Sequence, residues 1–289
     1  MSLELCILAS GSSGNASVLR TPTGALLIDA GIGPRTCAKR LAGTGTTITD
    51  ISAILLTHLD RDHFSPTWLR TILANNICIF CHESRREEIL RHLAFLAIDN
   101  QNSKLENLLR SFNGHPFSPL PDLHVHPFHL AHDELGSHGF VLDGFNSRIG
   151  YATDLGHVPD HLFHHFRNLD VLALESNYDA QMQLASARPY FLKQRIMGGA
   201  GHLSNDQALS AIRQILDHAQ STGARLPSHI VLLHRSRQCN CPKLLHKLFS
   251  KDPRIASRLT LAHQYERSEW LRPCEVKPKP HEQLTLAWS

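Results

Sequence analysis

The sequence predicts an α/β fold in which two mixed β-sheets pack face to face between outer helices, a four-layer αββα sandwich. Three observations carry that expectation. Strand-like runs fall into two groups, one in each half of the chain; each group has helical segments of its own; and no Gly/Ser-rich linker separates the halves. A single domain is therefore expected over residues 1–274, followed by an extended C-terminal tail at 275–289 that carries Lys277-Pro278-Lys279-Pro280.

The first half opens with short apolar or alternating runs at 5–9, 17–21 and 25–29. They are separated by Gly11-Ser12-Ser13-Gly14-Asn15 and by Pro22-Thr23-Gly24, both turn-forming compositions. A helix is expected from Pro34 through Leu41. Residues 51–56 form a continuous apolar run, the pattern of a strand buried on both faces. Helical patterns at 66–74 and 84–97 bracket an apolar strand at 77–80. Residues 100–121 are polar and broken by Gly114, Pro116, Pro119 and Pro121, so they read as a long connection. The second half brings strands at 123–130, 137–142, 148–153 and 171–175, with a helix at 159–166 before the last of these. A helix at 205–220, a strand at 230–233, a helix at 242–249 and a strand at 259–262 complete it.

A chain of 289 residues with 42% hydrophobic and 19% charged residues can bury a sizeable core. No apolar run reaches the roughly 18 residues of a membrane span. The start, Met1-Ser2-Leu3-Glu4-Leu5, has neither a basic leader nor an apolar export segment, so a cytoplasmic location without membrane association is expected. Seven cysteines, an odd number, then read as mostly reduced thiols. Cys78 and Cys81 lie on a strand with side chains on opposite faces, and with Cys239 and Cys241 they read as structural. A net charge of +3 is too small to imply a nucleic-acid partner by itself. The 21 histidines are unusual, because imidazole is the commonest metal ligand and the usual acid–base group near neutrality.

Chemistry concentrates in His58-Leu59-Asp60-Arg61-Asp62-His63, four potential ligands within six residues directly after the apolar run at 51–56. A lone His-x-Asp is ordinary turn chemistry. Four donors at a strand end, where side chains converge without being locked into a ladder, form a metal-site pattern.

This run resembles the His-x-His-x-Asp-His signature of the metallo-β-lactamase superfamily. The chain is also similar to the YycJ-like (WalJ) branch in Ala9-Ser10-Gly11-Ser12-Ser13-Gly14-Asn15, Tyr151-Ala152-Thr153-Asp154, Leu174-Glu175-Ser176-Asn177, Lys193-Gln194-Arg195-Ile196 and Gly201-His202-Leu203-Ser204-Asn205. The resemblance extends over nearly the whole chain and implies two divalent ions. His58, Asp60 and His132 would hold the first, Asp62, His63 and His234 the second, and Asp154 would bridge them. It also implies catalytic roles for Asp62 and for His202, the latter as general acid to the leaving group. Against that role, Ser204 or Asn205 could simply cap the helix at 205–220 with His202 packed beside it. An exchange of roles between His202 and His234 stays open. Asp60 departs from the family pattern, which has His there; the harder oxygen donor makes Mn²⁺ or Fe²⁺ more competitive with Zn²⁺, the first expectation.

The implied activity is phosphodiester hydrolysis, more narrowly an exonuclease acting on DNA, with nucleic acid or a small phosphodiester as substrate. Two alternatives are carried: hydrolysis of a thioester, lactone or other carboxylic ester at the same ions, and a catalytically silent metal-binding module. Tyr178 stands where the branch has His, which alters any contact made there. Arg188, Lys193 and Arg195 with Tyr190 and Phe191 read equally as a phosphate-contacting, base-stacking surface and as a solvated helix face with an apolar back. The segment 11–15 lacks the Gly-Lys-Ser/Thr ending of a nucleotide-binding loop and reads as a tight turn that could line the site mouth. His82, His138, His157, His161, His164 and His165 read as surface or packing residues.

Overall fold

The computed structural model describes residues 2–95 and 102–273. The expected tail at 275–289 lies outside the described residues. The first half builds one sheet in the order β1 (Glu4–Ala9), β2 (Ala16–Thr21), β3 (Gly24–Ile28), β4 (Ile51–Leu55), β5 (Cys78–His82) and β6 (Leu109–Phe112). It is antiparallel from β1 to β3 and parallel from β3 to β6. The second half builds another sheet from β7 (Phe117–Leu120), β8 (Leu123–Leu130), β9 (Ser137–Gly144), β10 (Ser147–Ala152), β11 (Val171–Glu175), β12 (His229–Leu233) and β13 (Leu259–Leu261). This sheet is antiparallel from β7 to β10 and parallel from β10 to β13.

The helices are α1 (Pro34–Leu41), α2 (Leu69–Asn75), α3 (Arg86–Phe95) and α4 (Asn102–Leu108) in the first half. In the second they are α5 (Asp160–His165), α6 (Ala180–Ala185), α7 (Tyr190–Met197), α8 (Asn205–Ser221), α9 (Pro242–Phe249) and α10 (Pro253–Ala256). Successive side chains of a strand point to opposite faces, so a strand buried on both sides must be apolar at odd and even positions alike. In β1, Leu5 and Ile7 face the other sheet while Cys6 and Leu8 face helices. Leu26, Ile28 and Leu55 meet Phe140, Tyr151, Val171 and Leu233 between the sheets. Outside the first sheet, Leu27 and Ile54 pack with Leu41, Trp68 and Ile72. Outside the second, Leu172, Leu174 and Ile230 pack with Ile212, Leu216 and Phe249 of the amphipathic helices α8 and α9. The order of layers is helix, sheet, sheet, helix, as the two strand groups predicted.

Residues 102–120 correct one expectation. They are not an irregular connection: α4, β6 and β7 fill most of the segment, and β6 and β7 extend the two sheets. β6 and β7 are edge strands, where Pro119 costs no ladder hydrogen bond on its open side. Phe112 and Phe117 stack on each other, and Phe117 stacks on Phe80, tying both edges to the core. No helix among the described residues is long and apolar enough to cross a membrane.

The topology decides where functional groups can gather. In parallel α/β sheets the crevice forms beyond the carboxyl ends of the strands. Asp29 follows β3, the 57–63 loop follows β4, Asp154 follows β10, Glu175 ends β11 and His234 follows β12. His132 follows β8 at the same rim.

Candidate metal centre

The loop after β4 is held from beneath. The Thr57 backbone N–H and hydroxyl both donate to Asp29, at 2.9 and 3.0 Å. His63 N–H and Phe64 N–H return to the Asp60 carbonyl, closing a tight turn that brings both ends of the donor run together. Gly31 makes room for it: a Cβ there would lie 1.8 Å from the Asp62 carbonyl oxygen, which also accepts the Asn15 N–H at 2.6 Å. The turn at 11–15 thereby braces the loop, and Ser12 lines the cavity above it.

His58, Asp60 and His132 form one group of potential ligand atoms, all within 4.8 Å of one another; Asp62, His63 and His234 form a second; His58, His63 and Asp154 form a third between them. The seven residues named as ligands from the sequence thus converge on one rim. His202 lies beside them with Asp154, Glu175 and His234. It lines the same cavity of about 400 Å³, with Asp60, Asp62, His132 and Asp154. Asp29, Asp154 and His234 adopt left-handed backbone with φ of 60°, 54° and 51°. Such conformations are uncommon for side-chain-bearing residues and persist only where surrounding contacts enforce them. For His234 these are its N–H to Ser10 Oγ at 2.7 Å and its carbonyl to Asn177 Nδ2 at 2.7 Å.

A second ring of contacts orients each imidazole. His63 Nδ1 bonds Asp29 at 2.8 Å, His132 Nδ1 bonds the Gly201 carbonyl at 2.9 Å, and His58 Nδ1 meets Thr57 Oγ1 at 3.0 Å. Glu175 Oε1 accepts from His234 Nδ1 at 2.9 Å and from His202 Nδ1 at 2.8 Å, while Oε2 accepts the backbone N–H groups of Leu155 and Leu203. Fixing one ring nitrogen leaves the other to face the centre, the usual arrangement behind metal-binding histidines. His58 Nε2 and His234 Nε2 are buried with no hydrogen-bond partner, the former 3.8 Å from an Asp60 oxygen and the latter 3.4 Å from an Asp62 oxygen. Buried nitrogens seldom go unpaired. Facing carboxylates across short gaps, they fit divalent cations.

The electrostatics agree. Burial opposes a charge on His234, but Asp154, Asp62 and Glu175 overcome it and lift the imidazole to about 10. Asp154 and Asp29 raise His63 well above its ordinary value against its own burial. His58 goes the other way: burial, then repulsion from His63, hold it well below its ordinary value. Burial would raise the Asp154 carboxyl, yet His234 and His63 keep it well below the usual carboxylate range. Positive charge is demanded by the carboxylates, and protons on His63 and His234 supply it where cations would.

The two acids of this ring, Asp29 and Glu175, were not assigned roles from the sequence. Both are fully buried acids closing apolar strands, in Leu26-Leu27-Ile28-Asp29 and Leu172-Ala173-Leu174-Glu175. A charge at the end of a buried run is a signal in its own right, since burying it unpaired is costly. Ser204 does cap α8, its hydroxyl accepting the Gln207 N–H while the Gln207 side chain accepts the Ser204 N–H. His202, two residues before, points into the cavity. Tyr178 is buried against Ile196 and Cys239.

The sequence model of the beta-lactamase superfamily domain matches residues 25–230. The chain belongs to this superfamily. Within it, the chain is 27% identical over 245 residues to the exodeoxyribonuclease WalJ of Streptococcus pneumoniae, covering 83% of this chain and 84% of that one. It is 25% identical over 246 residues to the exodeoxyribonuclease YycJ of Bacillus anthracis, covering 84% and 86%. Among solved structures, a diphosphatase of the PhnP family superimposes with a TM-score of 0.63 at 18% identity, covering 95% of this chain and 99% of that one. The chain is a hydrolase of the metallo-β-lactamase fold, similar to the YycJ/WalJ branch.

Proposed function

We propose that this superfamily member is a metal-dependent phosphodiesterase acting on nucleic acid in the cytoplasm, with two divalent ions, Zn²⁺ first, shared among His58, Asp60, His132, Asp62, His63, His234 and Asp154. The observation that carries the proposal is the pair of orphaned, buried nitrogens, His58 Nε2 and His234 Nε2, each turned toward a carboxylate in a single cluster of donors. When bound, such ions acidify a water molecule and offset negative charge gathering on phosphoryl oxygens. Asp154, placed between the two ligand groups, holds them at a fixed separation. Asp62, whose side chain is 25% exposed, accepts a hydrogen bond from the attacking water and aims its oxygen. The new P–O bond forms as the bond to the leaving oxygen breaks, and that oxygen needs a proton.

His202 is the donor in this reading. Its Nδ1 is tied to Glu175, so Nε2 is the atom offered to the cavity, and its side chain is 19% exposed. Burial works against a charge on this ring and Glu175 outweighs it, so the imidazole lies above its ordinary value and carries a proton to give. His234 shares Glu175 but is only 3% exposed, which suits a ligand rather than a proton donor. The 25–27% identity to two exodeoxyribonucleases supports DNA as the substrate class.

The test is turnover of bis-p-nitrophenyl phosphate, a thioester, and labelled single- and double-stranded DNA, each with added Zn²⁺ or Mn²⁺. Hydrolysis of the phosphodiester and of DNA is expected. Turnover of the thioester alone would transfer the same ions to carboxylic ester chemistry, and silence throughout with metal bound would leave a binding module.

A further inference from the structure

The cavity over the donor cluster continues on the side of Arg188 and Gln238. There it runs into a second cavity of about 300 Å³ lined by Ser12, Ser13, Arg188, Arg237 and Gln238. Ser12, Arg188 and Gln238 line both, so the two are neighbouring chambers of one groove. Their linings differ in acid content. The first holds Asp60, Asp62, Asp133 and Asp154; the second has two arginines and no acidic group in its lining.

Those arginines have no carboxylate partner among the described residues. Among the described residues, neither Arg188 nor Arg237 makes an ion pair, whereas Arg195, the other arginine of the first chamber, is clamped to both oxygens of Asp133. Arg188 is positioned by neutral acceptors only: Gln238 and Gln183 Oε1, each at 3.2 Å, and Ser236 Oγ at 3.5 Å. The Arg237 guanidinium lies 5.0 Å from the Tyr265 ring centroid and bonds its hydroxyl. A guanidinium held in place by uncharged groups retains its attraction for an anion, and its planar fork suits two oxygens of one phosphate.

Resting on the phosphodiesterase reading above, we infer that this second chamber is a phosphate subsite, in which Arg188 and Arg237 bind a phosphate of the same strand next to the one being cleaved. A substrate reaching both chambers gains the second contact without a second encounter. The subsite therefore favours a polynucleotide over a compound with one phosphate. Two and three residues past Arg188, Tyr190 and Phe191 stand 74% and 72% exposed at the start of α7, an apolar surface of the kind on which unpaired bases stack.

The experiment uses the metal-loaded full chain with three substrates: bis-p-nitrophenyl phosphate, which has no neighbouring phosphate, and a short oligothymidylate with and without a terminal 5′-phosphate. For Arg188→Gln and Arg237→Gln, KM for the oligonucleotide should rise about tenfold each with kcat little changed, the signature of a lost backbone contact. The ratio of kcat/KM on oligonucleotide to that on bis-p-nitrophenyl phosphate should fall by the same factor. Oligonucleotide affinity measured by fluorescence anisotropy should lose about 0.7 from its logarithmic salt slope per arginine removed. A fall for both oligonucleotides assigns the subsite to an internucleotide phosphate; a fall for the 5′-phosphorylated strand alone assigns it to the terminal group. An unchanged ratio in both variants overturns the subsite while leaving the phosphodiesterase reading intact. Failure of the unsubstituted chain to cleave any of the three overturns that reading, and the subsite with it.

Discussion

The two halves of the molecule furnish the same rim in opposite styles. The first half delivers His58, Asp60, Asp62 and His63 from one loop, whereas the second supplies His132, Asp154, His202 and His234 from four separate strand ends and turns. Each half also buries one acid behind its histidines, and the two acids differ. Asp29 faces a single imidazole, so burial prevails and its carboxyl is raised. Burial pushes Glu175 up as well, but bonds from His202 and His234 more than compensate and its carboxyl ends lower. Asp29 thus anchors one ring, while Glu175 joins a buried histidine of the donor cluster to a cavity-facing one.

The largest effect expected from this contrast is at His202. His202→Ala should slow turnover by about two to four orders of magnitude with metal content unchanged, measured by steady-state kinetics alongside elemental analysis. Loss of metal would instead make His202 a ligand and erase its difference from His234. Next come the two buried acids, where substitutions of this type typically cost about 10- to 100-fold in affinity or activity. Asp29→Asn should act mainly on retained metal, read by competition with a chromogenic chelator, whereas Glu175→Gln should lower kcat even when metal is saturating. Equal behaviour of the pair would cancel the distinction.

A smaller effect belongs to the seam between the sheets, where the His138 N–H bonds the Thr57 carbonyl at 2.9 Å. Burial, with repulsion from His82 and His129, pushes the His138 imidazole down to about 3 from an unfolded value of 6.5. Because the folded value is the lower one, stability is full above pH 6.5 and is lost as pH falls toward 3, by about 2 kcal/mol at pH 5. Denaturant melts of the parent and of His138→Gln across that window should differ in slope, the parent being the steeper. Smallest of all, Ser204→Ala should cost about 1 kcal/mol through loss of the α8 cap. Thermal unfolding reads it, and a null result there would return the 202–205 turn to simple packing.

How much of this could be read from the chain itself follows the same division. Layers and strands were legible because strands covered on both faces are apolar throughout. The first-half donors were legible because they are dense. Nothing local distinguishes His132 or His234 from the other histidines, since their convergence depends on strand order, and only resemblance to a family singled them out. β6 and β7 were hidden because four-residue edge strands tolerate proline and polar residues. Arg188 drew attention in the sequence, but Arg237 did not: its value lies in making no ion pair among the described residues, which is a property of the folded surface.

The left-handed turns at Asp29 and Asp154 bear on how the site should be dissected. Asparagine accepts that conformation at least as readily as aspartate, and alanine does not. An alanine at either place would therefore mix two injuries, removal of a carboxylate and relaxation of the bend that presents it. Comparing Asp154→Asn with Asp154→Ala separates them, because the first keeps the shape of the rim and changes only its charge.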